Sequence, residues 1–479
     1  MKKVLGILSI VAVLATVLLV SGAYAFPTGT WVSGVTVANL SSDTATVNIK
    51  FYNQDGSVAL DYEGGTISGN GSKTWYLPSA VSDLGDGFIG SAVVSADQQV
   101  AAIVNTQLPS GTDPARVGTS VGVNSPSEKV YATQVMKGYY GWNSYCAVQN
   151  TGSSSVNVTA TYYDSSGAVA DTESANISGY ASYIFDQSEN SDLASGFNGS
   201  AQFEGDADHP LAVVCNFYNS GDAADTSQFH SYNGLGAGGD TLYVPRVVKD
   251  YYNYQSGLKI QNIGSEALEV TVTYNIGGNT YTQDSPSIGV GQSWGPYMGD
   301  ESQLPASMSG VSGSGSAIIE IKSPNANKAI IATVNEDNRV DPAGRGVTYA
   351  AALAADASDT LVFPQVTAEY YGYSSGIQVQ KVTSGEVNCT ASYSASGNVS
   401  SFADGFTLTD ASPSWSQFAP NASGMNAGNG NDDYNGAVTI NCTGGKVIGI
   451  ANLSYRYDVD SRYGTLTGDS FTTARGIAK

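Results

Sequence analysis

Apolar and polar residues alternate along most of this chain with a period of two. Val156, Val158, Ala160 and Tyr162 fall on one face of a segment whose other face carries Asn157, Thr159 and Thr161. Leu268, Val270, Val272 and Tyr274 repeat the pattern against Glu269, Thr271 and Thr273. A strand with one face in a core and one in water reads this way. Gly, Ser, Asn and Asp cluster between such segments and supply the turns. Beyond the N-terminal apolar run no segment keeps a helical period. The pattern predicts an all-β protein of antiparallel sandwiches with roughly six to eight strands each.

The segments recur. Val37-Ala38-Asn39, Val148-Gln149-Asn150, Ile260-Gln261-Asn262 and Val379-Gln380-Lys381 each open a unit, and an aromatic residue (Phe51, Tyr162, Tyr274, Tyr393) follows at a constant offset. Later in each unit an apolar run ends in Asn: Asn105, Asn216, Asn335 and Asn452. Gly90-Ser91-Ala92 and Gly199-Ser200-Ala201 precede the first two runs, with Gly315-Ser316-Ala317 and Gly436-Ala437 as looser versions. The period of about 110–120 residues suits one domain per copy. The expected division is residues 1–25 as a signal peptide, then sandwiches over 26–125, 126–240, 241–358 and 359–479.

The N-terminus changes the cellular picture. Lys2 and Lys3 precede an apolar run over residues 4–20, and Ala23-Tyr24-Ala25 offers a small-residue cleavage site, so the mature chain is expected to begin at Phe26. No later stretch is long enough to span a bilayer. Acidic residues outnumber basic ones 42 to 20, a balance that repels nucleic acid and anionic lipid. The expected location is outside the cell, secreted or on its surface.

Four cysteines fall as one pair in each of two repeats: Cys146 with Cys215, and Cys389 with Cys442. By the alternation around them, Cys146, Cys389 and Cys442 point inward. Two inward pairs suit an oxidising compartment and predict two disulfides, each worth about 4 kcal/mol in the chain-entropy picture. The spacing does not suit zinc.

Val148-Gln149-Asn150-Thr151-Gly152, followed by Tyr162-Tyr163-Asp164 and Gly167, resembles the immunoglobulin-like repeats of bacterial and archaeal surface proteins, including the adhesion-related CARDB type. Lys381-Val382-Thr383 departs from that motif in the fourth copy. The resemblance implies a surface-exposed stalk, adhesin or S-layer-like component built of tandem immunoglobulin-like sandwiches.

Three repeats carry an aromatic cluster at their start: Tyr139, Tyr140 and Trp142; Tyr251, Tyr252 and Tyr254; Tyr370, Tyr371 and Tyr373. Their boundary position favours rings that cover the joint between domains; exposed, they would stack on sugars or dock a partner. The first repeat lacks this lead-in, and residues 130–136, 243–248 and 362–367 have no counterpart in it. If those are edge strands, repeat one bares an edge that another subunit can complete, giving head-to-tail self-assembly.

Asp222 and Asp225, Asp337 and Asp341, and Asp458 and Asp460 follow the last apolar runs. They read first as solvated turn residues and second as Ca²⁺ ligands stiffening the joints. Asn70, Asn157, Asn198, Asn398 and Asn421 stand in glycosylation sequons. Neither His209 nor His230 joins a nucleophile or metal motif, and no phosphate loop or nucleophile elbow is present. No cofactor is expected. The sequence points to a non-enzymatic extracellular coat, stalk or filament component; the rival is a secreted array binding surface polysaccharide through its aromatic patches.

Overall fold

The period-two segments form antiparallel strands throughout the computed structural model, which describes residues 9–13, 29–108, 115–219, 228–338, 344–426, 432–456 and 468–479. Among the described residues helix is confined to Leu77–Ala80 and a few 3-10 turns. Strands pair in eight sheets, two per repeat, and each pair of sheets encloses its own apolar cluster. In the second repeat, the opening strand Trp142–Asn150 lies between Ser182–Asp186 and Leu211–Asn219, and the terminal strand Phe229–Asn233 follows on the far side. The facing sheet runs Val169–Ile177, Val156–Tyr163, Phe197–Gly205, and the lead-in strand Lys129–Lys137. The other repeats copy this order.

Both expected disulfides are present. Cys146 stands directly opposite Cys215, and Cys389 opposite Cys442, on neighbouring strands of one sheet in each case. Their side chains belong to the cores of the second and fourth repeats.

The four units are not strung end to end. The terminal strands Arg116–Val121, Phe229–Asn233, Gly346–Ala350 and Phe471–Arg475 each touch the next, and the fourth touches the first, closing a ring. Along this axis Thr472 and Thr119 hydroxyls meet at 3.0 Å, and Thr348 Oγ1 lies 2.9 Å from His230 Nδ1. These strands are buried on both faces, one against their own core and one against the axis. Filling alternates in size. Phe229 and Phe471 occupy positions where the first and third repeats have Val117 and Gly346. At Gly118, a Cβ would stand 2.2 Å from Ser231 Oγ, and at Gly346, 2.4 Å from His230 Nε2.

The two recurring sequence landmarks meet across the joints. Gln149 Nε2 donates to Ser91 Oγ of the preceding repeat at 2.9 Å, Gln261 Nε2 to Ser200 Oγ at 2.6 Å, and Gln380 Nε2 to the Ala317 carbonyl at 3.0 Å. At the closing joint Ala38 and Ala437 stand at the matching positions and pack in an apolar cluster with Leu40, Ala101 and Val362. Three joints are therefore bridged by a glutamine, and the closing one is apolar at the matching positions.

The lead-in segments were expected at sheet edges. Lys129–Lys137 ends its sheet, but Thr241–Lys249 and Thr360–Ala368 are flanked by the two-residue strands Ala352–Leu353 and Ile477–Ala478. In repeat one the expected bare edge is paired: the backbone of Ser9–Val13, from the N-terminal apolar run, lies antiparallel to Gly90–Ala96. An open edge presents unpaired N–H and C=O groups, and an apolar, β-branched segment satisfies them.

Candidate functional site: tyrosine turns at one end of the ring

Each lead-in strand joins its opening strand through a two-residue turn. Tyr139 and Trp142 exchange backbone hydrogen bonds of 3.0 and 2.9 Å across one such turn; Tyr251 and Tyr254, and Tyr370 and Tyr373, do the same. Closing a two-residue hairpin with the twist of its strands requires positive φ at both central positions. Gly141, Asn253 and Gly372 meet that requirement easily at the second position. The first position holds Tyr140 at φ 48°, Tyr252 at 51° and Tyr371 at 50°. Bulky residues there are outliers, and each costs about 1 kcal/mol or more.

These rings stand out from the ring of repeats. Tyr140 is 86% exposed, Tyr252 77% and Tyr371 62%. Their contacts are edge-on to Tyr139, Tyr251 and Tyr370 at 4.7, 4.7 and 4.8 Å between centroids, an arrangement that holds the outer ring upright.

The expectation that the clusters cover the joints is thus corrected for the middle tyrosines and holds in part for the ring two positions later. Tyr254 packs on Phe471 of the fourth repeat at 5.4 Å, whereas Trp142 packs on His230 and Phe217 of its own repeat. Trp31, at the same place in repeat one, packs on Phe229 of the second. Phe471, His230 and Phe229 lie at or near the starts of terminal strands, and Tyr373 stands opposite Tyr455, beside the Ser454 that pairs with Phe471, so the three turns stand at the same end of the ring. Sequence reasoning located the clusters but missed which ring is bare, because exposure follows from the turn's backbone conformation.

Beneath that end lies a buried polar cluster. The Asp469 carboxylate accepts backbone N–H bonds from Phe229 at 3.1 Å, Gly346 at 3.1 Å and Phe471 at 3.2 Å. It is wholly buried, which raises its pKa well above the ordinary carboxylate value despite those donors. His230 Nε2 lies 4.0 Å away, and burial pushes the imidazole down to about 3, leaving it neutral. The second, third and fourth units thus meet on one side chain. The other histidine, His209, sits in an exposed turn with Nε2 3.2 Å from Ser154 Oγ. Among the described residues no three His, Cys, Asp or Glu side chains converge as metal ligands.

Of the acidic loop residues, Asp222, Asp225, Asp341, Asp458 and Asp460 lie outside the described residues. Asp337 is half-buried and accepts from the Tyr297 hydroxyl at 3.3 Å. Among the sequons Asn70, Asn157, Asn398 and Asn421 are exposed. Asn198 instead accepts a bond from Lys259 Nζ across the joint between the second and third repeats at 3.2 Å. Lys259 also donates to the Gly199 carbonyl at 2.7 Å, and burial lowers its pKa to about 7. Among the described residues no helix is long and apolar enough to cross a membrane.

No family profile matches the chain, and no curated protein matches it. A solved structure titled "Crystal Structure of Thermotoga maritima 1070" is similar to 23% of this chain and 95% of its own, at 13% identity and a TM-score of 0.20.

Proposed function

We propose that this chain is a non-enzymatic, extracellular structural or adhesive block of a cell surface, exported with removal of its first 25 residues. The observation that carries the reading is the set of three strained turns that hold bare tyrosines at one end of a closed ring. Backbone strain kept at three equivalent places under largely exposed rings is best accounted for by contact with something outside the chain. Two disulfides fit an oxidising compartment. Ring closure favours a compact coat or adhesive unit over an elongated stalk. In this reading the two-sheet units act as do the surface-protein repeats that the sequence resembles.

Fractionation and immuno-electron microscopy of the native host test it. Protein arrayed on the cell exterior is expected, and a cytoplasmic pool with free thiols would overturn the proposal. The exposed rings also favour a second reading, polysaccharide binding by stacking. A glycan array probed with the native chain and with Tyr140→Ser/Tyr252→Ser/Tyr371→Ser separates the two. Binding lost in the triple variant supports sugar recognition, and no binding by either leaves surface assembly.

A further inference from the structure

We propose that the mature protein carries an acceptor slot in repeat one for an extended strand of a separate exported chain. The inference rests on the proposed export with removal of the leader. In the second, third and fourth repeats the lead-in strand hydrogen-bonds one edge of Phe197–Gly205, Gly313–Ile321 or Tyr434–Thr443. Among the described residues, the matching edge of Gly90–Ala96 is paired over Ser9–Val13. Cleavage after Ala25 removes that segment and opens the edge.

The slot specifies its occupant. Each lead-in strand inserts three apolar side chains into its core with the same spacing: Val130, Ala132 and Val135; Leu242, Val244 and Val247; Leu361, Phe363 and Val366. A bulge lies between the second and third of each set. Its second residue reaches toward the next repeat. Gln134 Oε1 accepts from Asn335 Nδ2 at 2.8 Å, and Gln365 Oε1 accepts from Asn105 Nδ2 at 2.7 Å. In the third repeat Arg246 stands there and pairs with Glu336 instead. By the same rule, Asn216 of the second repeat should receive a residue from repeat one's strand. Asn216 is 3% exposed, and its Nδ2 has no hydrogen-bond partner among the described residues. By sequence the residue two past Val13 is Ala15, whose side chain carries no acceptor. The fitting ligand is therefore a strand with apolar residues at positions 1, 3 and 6 and Gln at position 5.

The mature chain does not supply this strand itself. Phe26-Pro27-Thr28-Gly29-Thr30 precedes Trp31, which leads into the opening strand of the opposite sheet. Pro27 lacks the N–H that an edge ladder needs, and Gly29 weakens a strand. A second copy offers the same stub, and its own lead-in strands are engaged in their repeats. The donor is a different chain, adding a strand through main-chain bonds with side-chain pockets for selectivity.

N-terminal sequencing of the exported protein comes first, since it separates the leader reading from the slot. With Phe26 at the terminus, a synthetic peptide of Lys129–Lys137, the chain's own lead-in strand, is titrated into the mature protein by calorimetry. Saturable one-to-one binding and a raised Tm are expected. A Gln134→Ala peptide should bind about 3- to 10-fold more weakly, and that difference should vanish on Asn216→Ala protein. Mature protein fused at Phe26 to the same peptide through a flexible linker should no longer bind it. Protein that begins at Phe26 yet leaves the peptide unbound at millimolar concentration overturns the slot. Protein that retains residues 9–13 overturns both the slot and the leader reading.

Discussion

The indole of Trp31 lies 4.7 Å, centroid to centroid, from the ring of Phe229, and joins the first repeat to the second at the mouth of the axis. Both side chains are fully buried, at 1% and 0% exposure. They sit in a cluster with Leu108, Tyr145 and Val214 that belongs to neither core. Truncation at Trp31 therefore removes contacts from both units. Trp31→Ala should lower stability by about 3–5 kcal/mol. A double-mutant cycle with Phe229→Ala should return a coupling of roughly 1 kcal/mol, read by chemical denaturation.

Small residues on the axis answer large ones. Gly118→Ala would place a Cβ 2.2 Å from Ser231 Oγ and 2.6 Å from the Phe229 ring. The expected loss is about 1–3 kcal/mol of overpacking. Gly34→Ala is the control, since its Cβ would meet nothing nearer than 3.8 Å, and its Tm should stay close to that of the parent.

The tyrosine turns make a prediction of unusual sign. At φ 48° the Tyr140 position suits Asn or Gly better than an aromatic residue. Tyr140→Asn should raise stability by about 0.5–1 kcal/mol while abolishing whatever the exposed ring contacts. A fall in Tm would show that the ring supports the fold instead.

Acid should loosen the axis through His230. Its pKa of about 3 in the folded protein lies below the unfolded value near 6.5, so the unfolded chain binds more protons between the two. The stability that neutral His230 contributes is complete above about pH 6.5 and is lost as pH falls toward 3, at up to roughly 1.4 kcal/mol per pH unit. Asp469, shifted the opposite way, contributes a term of opposite sign, so comparison with His230→Gln isolates the histidine. The variant should show a flatter decline in urea midpoint over that range.

Cys146→Ser/Cys215→Ser removes a cross-link closing 69 residues, and Cys389→Ser/Cys442→Ser one closing 53. Each double variant should lose about 4 kcal/mol. Thiol titration of denatured, unreduced protein should find no reactive group.

Much of this architecture was legible in the sequence. Alternation located strands such as Val156–Tyr163 and Val387–Tyr393, and the inward faces of Cys146, Cys389 and Cys442 foretold their pairing. Ring closure was hidden because the axis is lined by residues such as Thr119, Ser231, Thr348 and Thr473. Hydroxyl side chains opposite an apolar face read as solvent-facing, although here they meet other repeats or their own Asn neighbours. The recurring Gln149 and Ser91 were visible as landmarks, yet nothing in one copy says that its Gln binds another copy's Ser. The bare Tyr140 was a matter of backbone conformation, which composition does not encode.

A closed ring also sets a timetable. Thr119 waits for Thr472, 353 residues later, so the first unit cannot complete its contacts until the final strand has been made. Until then the apolar surface of Ala38, Leu40 and Ala101 stays uncovered. Contacts so distant along the chain form slowly and leave sticky intermediates. If the chain is exported as proposed, that surface needs cover for as long as the remaining repeats are still to arrive.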